Sequence, residues 1–118
     1  MANVNGFSGV TLAHNNRSDT FTTTTNGTTI GDGFQTYKHF ALQVDQTGAV
    51  TSWEVVLEGS LDGTTFTTLL TAVSATDNGK VIFPASGIIT PVLYFRARCS
   101  AIVLGGGTNV IAKILGVQ

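Results

Sequence analysis

Residues 53–69 read WEVVLEGSLDGTTFTTL, and the fold class follows from how this stretch alternates. Side chains in a strand point to opposite faces in turn, so Trp53, Val55 and Leu57 share one face while Glu54, Val56 and Glu58 share the other. Gly59-Ser60-Leu61 ends the run. Asp62-Gly63 supplies a tight reversal, because glycine accepts the positive φ that hairpin turns demand. A second strand follows, with Thr65, Thr67 and Thr68 interleaved with Phe66, Leu69 and Leu70. The stretch is a β-hairpin with one large aromatic anchor, Trp53 or Phe66, on each arm.

Outward from this hairpin the same signals recur. Gln35 to Asp45 reads as a strand, with Phe40, Leu42 and Val44 on one face and Tyr37, His39, Ala41 and Gln43 on the other. Gln46-Thr47-Gly48 turns it toward Trp53, which predicts that these two strands are antiparallel neighbours. Asp77-Asn78-Gly79 is a further turn. Lys80 to Phe83 is a short strand stopped by Pro84, which has no N–H for the ladder. Val92 to Val103 is a long strand, with Tyr94, Arg96, Arg98 and Ser100 facing one way and Phe95, Ala97, Cys99 and Ala101 the other. After Gly105-Gly106-Gly107, Asn109 to Val117 closes the chain as the expected partner of that strand. No useful window carries a 3.6-residue apolar period. Seven or eight short strands at this spacing predict an all-β fold, a single antiparallel β-sandwich or jelly roll over residues 34–118.

Residues 1–33 are a different material, rich in Asn, Gly, Ser and Thr with isolated apolar residues. They read as an extended N-terminal arm with one short strand near Ser18 to Thr25. Single apolar anchors spaced along such a segment suit wrapping over a partner surface. Phe7, Val10, Leu12 and Phe21 are the candidate contacts on the arm. Tyr37 and Tyr94, on the less apolar faces of their strands, are further candidates.

The 118 residues suit one domain with one core. Charged residues make up 11% and the formal net charge is −1, so the six basic residues cannot form the stripe that nucleic acid requires. A membrane surface is disfavoured for the same reason, and no apolar run approaches the roughly 20 residues of a spanning helix. The first residues lack the basic and apolar regions of a secretion signal. The single Cys99 cannot close an intrachain disulfide and reads as a buried, inert thiol.

No residue set stands out for catalysis. Glu54 and Glu58 lie four residues apart on one strand face, roughly 13 Å at about 3.3 Å per residue, beyond the roughly 5–9.5 Å of a glycosidase pair. Their expected role is cross-strand pairing with Arg96 and Arg98. His14, His39 and Cys99 show no metal-ligand spacing. Asp32, Asp45, Asp62 and Asp77 all sit at turns. Trp53, beside Val55 and Leu57, is expected in the core rather than as a sugar platform. The expectation is a protein that is not an enzyme and needs no cofactor or metal. Trp53, Asp62, Gly63, Phe66, Glu54, Glu58, Arg96 and Arg98 serve as its structural residues.

The hairpin WEVVLEGSLDGTTFTTL resembles the Gly-Ser-x-Asp-Gly hairpin of discoidin-like, galactose-binding-type jelly rolls. The tail YFRARCSAIVLGGGTNVIAKILG, residues 94–116, is similar to the Arg-Ala-Arg strand, glycine turn and final strand that accompany it in small virion proteins of tailed bacteriophages. The resemblance spans residues 34–118. It implies a structural virion protein of the capsid cement or decoration type, assembled in the host cytoplasm. Its partners would be the major capsid protein or other virion subunits, with self-association as a trimer or another closed ring. The alternatives it leaves open are a tail or fibre module that binds a host-surface glycan, and a neck or tail structural subunit. The predicted loops carry Gly, Thr, Asn and Asp but no Trp, unlike the loops of sugar-binding members.

Overall fold

Residues 14–118 are described by a computed structural model. In chain order the elements are β1 (His14–Phe21), β2 (Thr25–Asn26), β3 (His39–Ala49), β4 (Ser52–Ser60), β5 (Thr67–Val73), a single helical turn α1 (Ser74–Asp77), β6 (Val81–Ile82), β7 (Tyr94–Val103) and β8 (Gly106–Val117). They form two four-stranded sheets, one ordered β1-β8-β3-β6 and the other β2-β7-β4-β5, with every strand pair antiparallel. The all-β sandwich expected from the alternation is the fold observed.

The core lies between the sheets and is built from the alternating positions. Trp53, Val55 and Leu57 of β4, Phe40, Leu42 and Val44 of β3, Phe95, Ala97 and Cys99 of β7, and Val110, Ala112 and Ile114 of β8 are all buried. Phe95 is the hub at one end. Its ring meets Tyr37 at 5.1 Å and Phe40 at 5.4 Å between centroids, both edge-on, the arrangement that aligns a positive ring edge with a negative face. Gly116 of β8 leaves room for it. A Cβ there would fall 2.6 Å from Phe95 Cζ. Gly116→Ala is therefore expected to overpack the core and cost about 1–3 kcal/mol, read as a lower urea midpoint with an unchanged slope.

The central hairpin forms as its residues dictate. β4 and β5 pair antiparallel from Glu54↔Val73 to Gly59↔Thr67, with Leu69 as an extra residue where the register shifts. Asp62 organises the turn. Its Oδ1 accepts the N–H groups of Thr64 and Thr65, each at 2.8 Å, while Ser60 Oγ donates to Asp62 and accepts from the N–H of Gly63. Gly63 takes the positive φ of 77° that the turn needs. These bonds favour the ionised carboxylate, chiefly through Thr65 and then Thr64 and Ser60, and hold its pKa below the ordinary 3.8. A lowered folded pKa stabilises above the unfolded value, and that contribution is lost as pH falls through the folded one. An NMR pH titration should show the Thr64 and Thr65 amide shifts moving with a midpoint below 3.8, and Asp62→Asn should flatten them.

Two expected pairings are not those observed. β3 and β4 are not neighbours, because β3 pairs with β8 and β4 with β7. Likewise β7 and β8 lie in different sheets. Val50–Thr51 and Leu104–Gly105 are corners that carry the chain from one sheet to the other. Trp53 Nε1 donates to Gln46 Oε1 across the first corner at 3.1 Å, and Gly105 turns the second with a φ of 56°. The physical reason is burial. The apolar faces of β3 and β4 cover each other by facing across the core, whereas side by side in one sheet both would need another cover.

The division into an arm of 1–33 and a sandwich of 34–118 is also corrected within the described residues. β1 pairs with β8 along all eight of its residues, from His14↔Val117 to Phe21↔Val110. The chain then crosses to the other sheet, where β2 pairs with Arg98 and Cys99 and Ile30 bridges to Phe95. Residues 14–30 thus close one side of the sandwich. The strand starts at His14 rather than near Ser18, and only Asp19 and Phe21 of β1 are buried. That inward apolar content is too small to announce a strand by pattern. Phe7, Val10 and Leu12 lie outside the described residues.

Candidate interaction surface

The polar residues singled out in the sequence gather on the outer face of the β2-β7-β4-β5 sheet. Glu58 sits opposite Arg96 in the β4–β7 register. It is buried at 4% exposure, and each of its oxygens takes one guanidinium: Arg96 Nε donates to Oε1 at 2.8 Å and Arg98 Nε to Oε2 at 3.1 Å. Arg96 also lies flat over Phe66, its Cζ 3.8 Å from the ring centroid. Glu54 does not join this cluster. A register shift between Glu54 and Val55 brings Ser100 within reach, and its hydroxyl donates to Glu54 Oε1 at 2.6 Å. The cross-strand role expected for the two glutamates therefore holds for Glu58 with both arginines and is corrected for Glu54. Glu58→Ala would leave two neighbouring guanidiniums without their shared acceptor. The expected loss is about 1–3 kcal/mol by urea titration, with little change on exposed Glu or Asp controls.

Two of the proposed contact residues belong to the interior. Phe21 and Tyr37 are each 2% exposed. Tyr37 bridges to Val92, and its hydroxyl accepts from Asn15 and donates to Gln35. Its position before β3 carries it under Phe95, where strand alternation no longer predicts the facing. Trp53 is buried at 3% exposure, as expected of a core residue rather than a sugar platform. Cys99 is buried too, and burial raises its thiol pKa. His14 and His39 are exposed on separate strands, and among the described residues no three His, Cys, Asp or Glu side chains are grouped to hold a metal ion.

Sequence reasoning missed Asp19. It points inward from β1 and is 9% exposed. Its Oδ1 accepts from Arg17 Nε at 3.1 Å and from the Thr28 N–H at 3.4 Å, while Oδ2 lies over Gly27, where a Cβ would come within 2.6 Å. Asp19 thereby ties β1 to the segment after β2. The signal for it was the alternation of Asp19 with Phe21, hidden by the polar residues around them.

The surface feature that the fold does not use is apolar. Five large side chains stand exposed in three loops: Phe34 at 90%, Leu61 at 70%, Phe83 at 67%, Ile88 at 53% and Ile89 at 58%. The register places all three loops at one end of the sandwich. Phe34 precedes the Tyr37–Val92 bridge. Leu61 follows Ser60, which pairs with Tyr94 at the start of β7. Phe83 follows β6, which runs antiparallel toward the start of β3, and Thr90 donates its N–H to Lys38 O beside that start. Tyr94 is half-buried among them. Its ring lies against Gly63, and its hydroxyl lies where a Cβ on Gly33 would stand. β1 begins at His14, opposite Val117, at this same end. The opposite end has Val103 as its exposed large apolar side chain among the described residues.

No family model matches the chain, and no curated protein matches it. Among solved structures, the chain is similar to the crystal structure of the SPBc2 prophage-derived protein YomS. The TM-score is 0.52, with 94% of this chain and 100% of that one covered at 14% identity. At that identity the likeness is one of fold.

Proposed function

We propose that the protein is a structural subunit of a tailed-phage particle, of the capsid cement or decoration type, which acts by bridging neighbouring subunits. The observation that carries this reading is the single apolar end, with Phe34, Leu61, Phe83, Ile88 and Ile89 exposed together in loops. Exposed apolar groups gathered on one surface mark a protein contact, whereas scattered ones need no explanation. The carboxylates weighed for chemistry are held by the fold itself, Glu58 by two arginines and Glu54 by Ser100. The fold likeness to a prophage-derived protein supports the phage setting. The work is mechanical: each copy adds buried area, and repetition around a shell multiplies a modest free energy per contact. The partners are the major capsid protein or other virion subunits, and the reading involves no enzyme activity and no cofactor.

The test is mass spectrometry of purified phage particles from the host that carries this sequence. The chain is expected at a fixed ratio to the major capsid protein. Its presence in the lysate but not in particles would sink the reading. Its presence in isolated tails rather than heads would favour a neck or tail subunit. A second reading, a glycan-binding tail module, is favoured by Tyr94 and Phe34 standing at the same end between two glycine turns. A glycan array decides it: binding that Tyr94→Ala abolishes supports that reading, and a blank array removes it.

A further inference from the structure

We infer that the outer face of the β1-β8-β3-β6 sheet carries a trough for an acidic peptide segment of a neighbouring virion subunit, with Lys113 as the residue that takes its carboxylate. The inference rests on the assembly role proposed above and gives the chemistry of a second contact, on a sheet face rather than at the apolar end. Val110, Ala112 and Ile114 of β8 face the core, so the alternate residues Lys113 and Leu115 face outward. The register builds two rungs on that face. One runs through Ser18, Lys113, Gln43 and Val81 across all four strands, and the next through Asn16, Leu115 and Ala41. Together with His14 they line a trough of about 630 Å³. Gln43 is fixed toward one wall, where its Nε2 donates to Gly79 O at 3.3 Å.

The fold sorts the charges of the chain. All three arginines are held by its own carboxylates, Arg17 by Asp19 and both Arg96 and Arg98 by Glu58. None of the three lysines, Lys38, Lys80 and Lys113, is paired with a carboxylate among the described residues, and Lys113 is the one that stands in the trough. The remaining acids are engaged as well: Asp32 by the N–H of Phe34, Asp62 by those of Thr64 and Thr65, Asp77 by that of Val73, and Glu54 by Ser100. Asp45 is the exception, half-buried one rung away beside Gly79. A second copy therefore has no well-exposed free carboxylate to offer, and the complement to Lys113 comes from a different protein. The lining selects a peptide. A lysine is a compact charge with three donors. One such cation beside Leu115, Ala41 and Val81 suits a single carboxylate between apolar side chains, not a run of phosphates. No Phe, Tyr or Trp lines the trough, so a sugar ring has no face to stack on. Four strands span about 14 Å, the length of about four extended residues.

The experiment uses the full chain and two short peptides, Ala-Leu-Glu-Val-Ala and its Gln counterpart, acetylated and amidated so that they differ in one carboxylate. NMR titration with the Glu peptide should show saturable shifts of the Ser18, Gln43, Lys113 and Leu115 amides. The Gln peptide should bind about tenfold more weakly, the loss expected of one charge-assisted hydrogen bond. Lys113→Gln should show the same loss toward the Glu peptide, with far-UV circular dichroism unchanged because Lys113 is exposed. Lys38→Gln, outside the trough, should bind as the wild type does. In phage, Lys113→Glu should lower the number of copies per particle. No saturable shift at millimolar peptide, equal binding of the two peptides, shifts centred elsewhere, undiminished binding by Lys113→Gln, or a full complement of Lys113→Glu in particles would each overturn the inference. Tri-galacturonate that binds the trough more tightly than the Glu peptide would overturn the peptide as its occupant. Wild-type chain present in particles, with no peptide bound, overturns the trough and leaves the assembly role standing. Peptide bound by a chain absent from particles does the reverse.

Discussion

A chain cut after Thr25 is expected to be largely unfolded at 25 °C. The cut removes all of β1, whose eight residues pair with β8, and with it Phe21, which is 2% exposed in the core. Loss of a buried Phe side chain costs about 3–5 kcal/mol, against about 5–15 kcal/mol of total stability for a domain. The cut also removes Asp19, which links β1 to Thr28, and leaves the long β8 strand as an open edge. Far-UV circular dichroism and urea unfolding check this. A cooperative transition within 1 kcal/mol of the full chain would show that β1 is peripheral. A segment boundary drawn at residue 33 would have predicted that outcome, and a cut of this kind would then have been read as a test of assembly when it tests folding.

Trp53→Ala is expected to destabilise the fold by about 3–5 kcal/mol. Trp53 is 3% exposed within the core cluster, and its indole N–H donates to Gln46 Oε1 at the corner where the chain passes from β3 to β4. Truncation would open a cavity and leave Gln46 without that donor. The corner is where the chain changes sheets, so the damage should reach both sheets. Urea titration followed by circular dichroism should show the lower midpoint. Hydrogen exchange should show faster opening in both β3 and β4. A variant as stable as the wild type would mean that the indole is not packed in the core. Trp53→Phe should recover most of the lost stability, because it restores most of the volume without the hydrogen bond.

Much of the fold was legible in the chain because strand alternation and turn chemistry are local. The facing of Trp53, Val55 and Leu57 follows from a period of two. The reversal at Asp62-Gly63 follows from a carboxylate that can accept nearby N–H groups and a residue that tolerates positive φ. The polar candidates were legible in the same way, since Glu58, Arg96 and Arg98 were assigned to outer faces and meet there at 2.8 and 3.1 Å. Glu54 departed from its expected role through one register shift beside Val55, and a bulge is not written in alternation.

By itself the sequence determined the long strands, the turns and the core-facing apolar residues of β3, β4 and β7, because each of these depends on neighbours within a few residues. Only the tertiary structure decided that β3 lies with β8 and β4 with β7, that β1 completes the sandwich, and that the loops carrying Phe34, Leu61, Phe83, Ile88 and Ile89 lie at one end. Those outcomes depend on hydrogen bonds and burial between residues far apart in the chain. A local pattern shows that a face must be covered without naming the strand that covers it.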